Sequence, residues 1–460
     1  MKNIVGTVLL FAITFYSTAQ KPIDTSSKKS PTQKLDEFLI SLSNAHKFNG
    51  TALIAQKGKI LLHKGYGWKN AAANTFNDTN SIYQIGSLTK PFTAQIILKL
   101  QELGKLSITD KLNKYLLDYP NGEKITIENL LTHTSGIASY DAEEKDTITW
   151  SPVEKADVLS VFKNKPLEFE PGSIFRYSNS GYFLLGMIAE KAGGKPYEQI
   201  VRELIFVPLQ MTHSGFDFIH LQDTLKATGY KTLNAERQIT VHLIDSTVSY
   251  ATGEMYSSTG DLYKWAKSLA DKQILSPGSW KKALTAFHSN YGYGFFIDSM
   301  NGKKYVGHSG GITGFTSNFV YFPDEDVTII LVNNFLYEGD ERDNQPVLPV
   351  QELSAIIFDK PYTPYREKKE IKVNDTSLNK YIGTYALSTT PKRTIIVTKQ
   401  DGSLMATIPG VTTMQFVFNT DTQFQFKNLL NAEGEFITTN GKVIKMVISQ
   451  NGLFEWIKIK

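Results

Sequence analysis

The hydrophobic positions of this chain change their period several times, and each change marks an element. Residues 35–45 repeat at helical spacing. Residues 50–67 alternate around a central Lys57-Gly58-Lys59 turn, the pattern of a β-hairpin. From about residue 85 to 275 helical periodicity dominates. Leu88, Phe92, Ile96, Ile97, Leu100 and Leu103 share one helix face, and Gly104 stands where a C-terminal cap belongs. Ser151-Pro152-Val153-Glu154 has the form of a capping box with proline at the first helical position. Residues 182–192, 197–206 and 261–270 predict further helices. Strand patterns return at 291–297, 304–308, 316–322 and 327–332. Strands thus flank a helical middle, which predicts an α+β fold with one sheet assembled from both ends and a helical part inserted.

Beyond residue 362 the character changes. Residues 363–376 are charged and poor in core side chains, and read as a linker. Short alternating runs follow at 381–385, 394–398, 404–408, 415–418, 424–426, 443–448 and 454–459, with Asp401-Gly402 and Asn440-Gly441 as turns. Their even spacing predicts a small antiparallel barrel or sandwich over 377–460.

The amino terminus also stands apart. Lys2 precedes a mostly apolar run of 13 residues, Ile4 to Tyr16, and Ser17-Thr18-Ala19-Gln20 supplies small residues for cleavage after Ala19. This predicts a signal peptide over 1–19 and an exported protein. The run is too short for a bilayer, which needs about 20 apolar residues, so no membrane span is expected once the signal is removed. Residues 20–33 read as a linker, leaving 34–362 as the main domain.

Composition narrows the chemistry. Apolar residues make up 41% of the chain, enough for a sizeable core. Charge is balanced, 49 Lys and Arg against 45 Asp and Glu, and no basic stripe points to nucleic acid. Without cysteine there is no disulfide, thiol nucleophile or Cys-based zinc site. The eight histidines form neither His-Glu-x-x-His nor His-x-His, so no metal and no cofactor is expected.

Candidate chemistry centres on Ser-x-x-Lys. The pattern starts at five serines: Ser26, Ser87, Ser160, Ser279 and Ser377. Only Ser87 follows a strand-like stretch, Ile82 to Gly86, and opens a long apolar helix, with Pro91 marking the first turn. Residues i and i+3 share a helix face, so the Lys90 amine can reach the Ser87 hydroxyl. Burial and the positive end of the helix dipole both disfavour a charged lysine, which suits it to act as a base. Tyr177-Ser178-Asn179 follows Pro171-Gly172 and precedes another helix. Free tyrosine, with a pKa near 10, is only about 0.1% ionised at neutral pH, and forming its phenolate costs roughly 4 kcal/mol. Neighbouring ammonium groups offset that cost. Asn179 is suited to hold Lys90 or to bond a substrate amide. Gly307-His308-Ser309-Gly310-Gly311 matches Gly-x-Ser-x-Gly, but no helix pattern follows and His308 is the last histidine, so it is not a nucleophile elbow. It reads better as a glycine-rich strand edge whose Gly311 N–H joins the Ser87 N–H as an oxyanion hole. His133, in Leu-Thr-His-Thr-Ser-Gly, reads as a hydrogen-bonded structural histidine.

These three elements in this order resemble the serine β-lactamase and penicillin-binding protein superfamily, in its class C β-lactamase-related branch. Further stretches resemble that branch: Asn49 to Ile54, Leu130 to Ile137, Ser178 to Tyr182, Val207 to Met211 and Tyr256 to Leu262. The resemblance implies an antiparallel β-lactamase/transpeptidase-like sheet with a helical subdomain, and a lipocalin-like barrel at the C-terminus. It implies that Ser87 attacks an amide or ester carbonyl, that Lys90 and Tyr177 share the base role, and that water hydrolyses the acyl-enzyme. Asn179, His308, Ser309, Gly310 and Gly311 would line the substrate and oxyanion side. The third motif departs from the usual Lys-Thr-Gly: His308-Ser309-Gly310 puts a mostly neutral side chain where a lysine binds substrate carboxylate. Esters and D-residue peptides therefore join β-lactams as expected substrates, small molecules or peptides of possible peptidoglycan origin. A D,D-carboxypeptidase or D-aminopeptidase, and an inert binding or sensor protein, stand as alternatives.

Overall fold

The computed structural model describes residues 29–140, 151–336, 346, 348–365, 370–409, 412–427, 433–449 and 453–460. The expected signal peptide, 1–19, lies outside them, as does Ser26. Within the described residues, no helix is long and apolar enough to cross a membrane.

Six strands form one antiparallel sheet: β1 (Gly50–Gln56), β2 (Lys59–Tyr66), β3 (Phe296–Met300), β4 (Lys303–Ile312), β5 (Phe315–Phe322) and β6 (Val327–Asn333), in the order β2-β1-β6-β5-β4-β3. The first strand therefore pairs with the last, Gly50 opposite Asn333 and Gln56 opposite Val327, and the two ends of the domain close on each other. β6 is apolar almost throughout because both of its faces are covered. Ile329 and Leu331 pack under α1 (Pro31–Asn44), while Ile330 and Val332 face the helical side.

That helical side holds α2 (Thr89–Glu102), α3 (Asn179–Gly193), α4 (Ser246–Gly253) and α5 (Thr259–Ala270), and α6 (Val350–Ile357) joins α1 on the opposite face. α2 is buried almost all round, as befits a central helix. Trp265 of α5 stacks on Phe92 of α2 at 4.4 Å, and its indole N–H donates to Gln95 at 2.9 Å.

Several boundaries move from the sequence expectation. α1 begins at Pro31, inside the segment read as linker, because Ser30 and Gln33 form a reciprocal capping box with proline at the first turn. The helix expected after Ser151 starts at Lys155 instead, capped by Glu154 and Asp157, because the Val153 N–H is drawn to the Thr247 hydroxyl at 2.9 Å. Residues 291–295 are not strand. Gly294 takes φ = 80°, and a Cβ there would lie 3.0 Å from Pro91 Cα, so this stretch is bent onto α2.

The C-terminal strands β7 (Gly383–Leu387), β8 (Thr390–Gln400), β9 (Ser403–Ile408), β10 (Thr412–Phe418), β11 (Gln423–Phe426), β12 (Glu433–Thr439), β13 (Lys442–Ser449) and β14 (Leu453–Lys458) close into an eight-stranded barrel. β12 escapes the sequence pattern because Phe436 is its one fully inward apolar side chain. The interior is filled by rings: Phe436 stacks on Tyr381 at 4.1 Å and meets Phe424 at 4.9 Å. Ile371 and Val373, within the charged segment read as linker, already pack on this core. Phe436→Ala should cost about 3–5 kcal/mol of barrel stability, measured as a fall in its urea midpoint; an unchanged midpoint contradicts the packing.

Candidate active site

Ser87 is reached through a short two-stranded ladder. Tyr83–Gln84 pairs with Tyr256–Ser257, and the Ile85 N–H donates to the Met255 carbonyl at 2.9 Å. The chain then turns through Gly86–Leu88 as a 3₁₀ turn directly into α2, with half-buried Ser87 in the turn. Two glycines make room for β4 beside this lead-in. Gly86 has φ = 53°, and a Cβ on it would stand 2.8 Å from the Gly311 carbonyl oxygen. A Cβ on Gly310 would stand 1.9 Å from the Ile85 carbonyl oxygen. With these glycines, the Gly311 backbone lies next to the residue that precedes Ser87. The β3 ladder ends at Gly307 opposite Phe296, so among the described residues β4 has no partner strand on that side from His308 onward. Ser309 and Gly311 are exposed there, while His308 and Gly310 are buried.

Lys90 has no exposed surface. Its Nζ stands 2.9 Å from Ser87 Oγ and donates to the Thr252 carbonyl at 2.8 Å. The Tyr177 and Tyr182 rings lie 5.0 and 5.8 Å from the same nitrogen, within cation–π range. Burial drives the phenol of Tyr182 above its ordinary value, so Tyr182 is a neutral wall of the site.

Tyr177 is held by His133. The imidazole packs against its ring at 4.3 Å and accepts the Ser178 N–H on Nδ1 at 3.1 Å. The His133 carbonyl also accepts the Arg176 N–H at 2.9 Å. His133 occupies a left-handed conformation, φ = 54°, which a histidine tolerates better than a branched residue. Burial, then the neighbouring Lys90, hold its pKa well below 6.5. It is a neutral platform, as its sequence context suggested, and it is built into the site. Asn179 opens α3, and its N–H donates to Ser139 Oγ at 2.8 Å.

The His308 ring lies 6.3 Å from the Tyr177 ring, centroid to centroid. Its Nδ1–H donates to the Ser309 carbonyl at 2.6 Å, which leaves Nε2 to accept the Tyr291 hydroxyl proton at 3.1 Å. Burial, then the nearby Lys90 charge, push its pKa to about 3. The side chain at the third motif is thus an uncharged imidazole.

The structure therefore gathers Ser87, Lys90, Tyr177 and His308, and sets Asn179, Ser309, Gly310 and Gly311 on the elements that flank them. The rival serines fall elsewhere. Ser160 is exposed, with its hydroxyl on the Asp157 carbonyl, and Ser279 sits in the first turn of a separate helix, Pro277–Ala283. Ser377 lies in the turn before the barrel, within Asp375–Asn379. Three contributors escaped the sequence. Thr252 acts through a carbonyl, which has no side-chain signature. Tyr291 was read as a strand residue. Tyr182 was read only as the start of a helix and the end of a resembling stretch.

The fold is that of the β-lactamase/transpeptidase-like superfamily, whose members are generally serine hydrolases. The chain belongs to the Beta-lactamase family, whose model matches residues 35–351. It is 28% identical to a penicillin-binding protein of Bacillus subtilis over 92% of this chain and 98% of that protein. Among solved structures it is similar to the octameric penicillin-binding protein homologue from Pyrococcus abyssi, with 26% identity, a TM-score of 0.65, and coverage of 92% of this chain and 99% of the other. It shares the fold of the D-amino acid amidase from Ochrobactrum anthropi, with 22% identity, a TM-score of 0.64, and coverage of 72% and 99%.

The neutral His308 has a consequence for stability. Unfolded, the ring binds a proton near 6.5; folded, it stays neutral down to about 3. Its contribution is intact above about 6.5 and is lost as pH falls from there toward 3. Between pH 7 and 4 wild type should therefore lose about 1–3 kcal/mol more unfolding free energy than His308→Asn, measured by urea titration. A pH-independent difference contradicts a buried neutral ring.

Proposed function

We propose that this chain is an exported serine hydrolase that cleaves an amide or ester through an acyl-enzyme on Ser87. The observation that carries this assignment is the 2.9 Å approach of a fully buried Lys90 amine to the Ser87 hydroxyl. Export is supported by the charged, apolar and small-residue pattern of 1–19.

In acylation, Ser87 Oγ forms a bond to the substrate carbonyl carbon while its proton passes to the base formed by Lys90 and Tyr177. Charge collects on the carbonyl oxygen, and the Ser87 and Gly311 N–H groups are the donors assigned to receive it. Collapse breaks the bond to the leaving nitrogen or oxygen, which takes up the proton. Water then adds to the acyl carbon and gives its proton to the same base. The Oγ–carbon bond breaks, and Ser87 regains its proton.

The neutral third motif shapes substrate choice. A carboxylate binds poorly beside an uncharged imidazole already engaged by Tyr291. That disfavours β-lactams and the free C-terminus a D,D-carboxypeptidase recognises. Esters and amides of D-residues, including peptidoglycan-derived peptides, fit better. The amidase and penicillin-binding names among similar proteins support this class by analogy only.

A panel of neutral esters, D-amino-acid amides, D-Ala-D-Ala peptides and nitrocefin tests this. At least one neutral substrate should show a kcat/KM about tenfold or more above nitrocefin, a difference of about 1.4 kcal/mol. Lys90→Met should lose about 10²–10⁴-fold. Nitrocefin turnover ahead of every neutral substrate contradicts the substrate class, and no hydrolysis across the panel contradicts the enzyme assignment.

A further inference from the structure

The carbonyl that holds Lys90 comes from an unusual turn. α4 is helical through Ser249, breaks at Tyr250 with φ = 36° and ψ = −140°, and resumes one turn in which the Glu254 N–H donates to the Tyr250 carbonyl at 3.1 Å. A bulky aromatic residue in this region is strained and persists only where its surroundings hold it. The break reorients the next two carbonyls toward α2. Ala251 O accepts the Thr93 hydroxyl at 2.7 Å, and Thr252 O accepts Lys90 at 2.8 Å.

The restraints are visible around it. Because Thr93 spends its single proton on Ala251, the Tyr197 hydroxyl must donate to Thr93 Oγ1, at 2.7 Å. The Tyr197 N–H donates to Glu190 Oε1 at 2.9 Å. Glu190 is bound through both oxygens by Lys155 at 2.6 Å, and the same ammonium lies 4.4 Å from the centre of the Tyr250 ring. Gly186 of α3 completes the seat, since a Cβ there would meet Ala251 Cβ and the Tyr250 ring at 2.5 Å.

We propose that Tyr250, clamped in this conformation by Lys155, Thr93 and Gly186, is a positioning residue that aims the Thr252 carbonyl at Lys90 and so directs the Lys90 lone pair at Ser87. To take the serine proton Lys90 must be in its neutral form, an amine with two N–H donors and one lone pair. Fixing one donor on Thr252 removes rotational freedom that would otherwise point the lone pair away from the serine proton. Thr93, Tyr250 and Gly186 are buried, so loss of the clamp is expected to act on the chemical step rather than on binding. This inference rests on Ser87 and Lys90 acting as proposed above.

Its test uses the full chain with the best substrate of the panel. Thr93→Val keeps the shape but removes the donor to Ala251, and Lys155→Met frees the Tyr250 ring from a half-exposed position where folding is tolerant. Each should lower kcat about fivefold or more with KM within twofold, and Thr93→Ser and Lys155→Arg should restore most of it. Circular dichroism and thermal unfolding establish that the variants are folded. Wild-type kcat in both folded variants overturns the inference, as does a loss that the conservative replacements fail to restore. If Ser87→Ala hydrolyses the substrate as fast as wild type, the underlying assignment of Ser87 fails first, a result distinct from unchanged clamp variants.

Discussion

Everything at this site depends on a lysine nitrogen with no access to water. Removing an amine from solvent is tolerated only if its hydrogen-bonding groups are met, because an isolated buried charge costs far more than any one contact returns. Here the Ser87 hydroxyl and the Thr252 carbonyl meet the Lys90 nitrogen, and two phenol rings wall it. They come from three parts of the chain: Ser87 beside Lys90, Tyr177 and Tyr182 around the start of α3, and Thr252 at the end of α4. Much of the domain can be understood as the scaffold needed to bring them to one point.

The sheet supplies one side of that scaffold. Pairing of β1 with β6 closes the domain, and β4 is pressed onto Ile85 and Gly86 because Gly310 and Gly86 have no side chains to keep the backbones apart. The helical layer supplies the other. The 3₁₀ turn Gly86–Leu88 carries Ser87 directly into α2, which carries Lys90, α3 begins at Asn179 beside the His133–Tyr177 stack, and the kinked end of α4 delivers Thr252. The uncharged His308 fits the same logic. A charged imidazole buried in this desolvated space would be costly, and the ring stays neutral with Tyr291 as its donor.

Much of this was legible in the sequence, and the rest was hidden for identifiable reasons. Helical period marked α2, and the placement of Ser87 at its start separated that Ser-x-x-Lys from four others. The order of Tyr177 and His308 after it completed the pattern. Local chemistry also contained signals that went unread, such as Ser30-Pro31-Thr32-Gln33 as the cap of α1. Other features leave no side-chain pattern at all. A backbone carbonyl at Thr252, a left-handed Tyr250 and the bend at Gly294 are set by tertiary packing. β12 was missed because a small barrel needs few inward side chains from each strand, and Phe436 alone does not make a period.

The central claim is that Ser87 is a nucleophile activated by Lys90. Covalent capture tests it most directly: incubation with a fluorophosphonate, intact-mass measurement, and peptide mapping of the adduct. One adduct per chain located on Ser87, absent in Ser87→Ala and formed at least a hundredfold more slowly in folded Lys90→Met, is the result this account requires. An adduct on another serine, or labelling of Ser87 at an unchanged rate without Lys90, would contradict it.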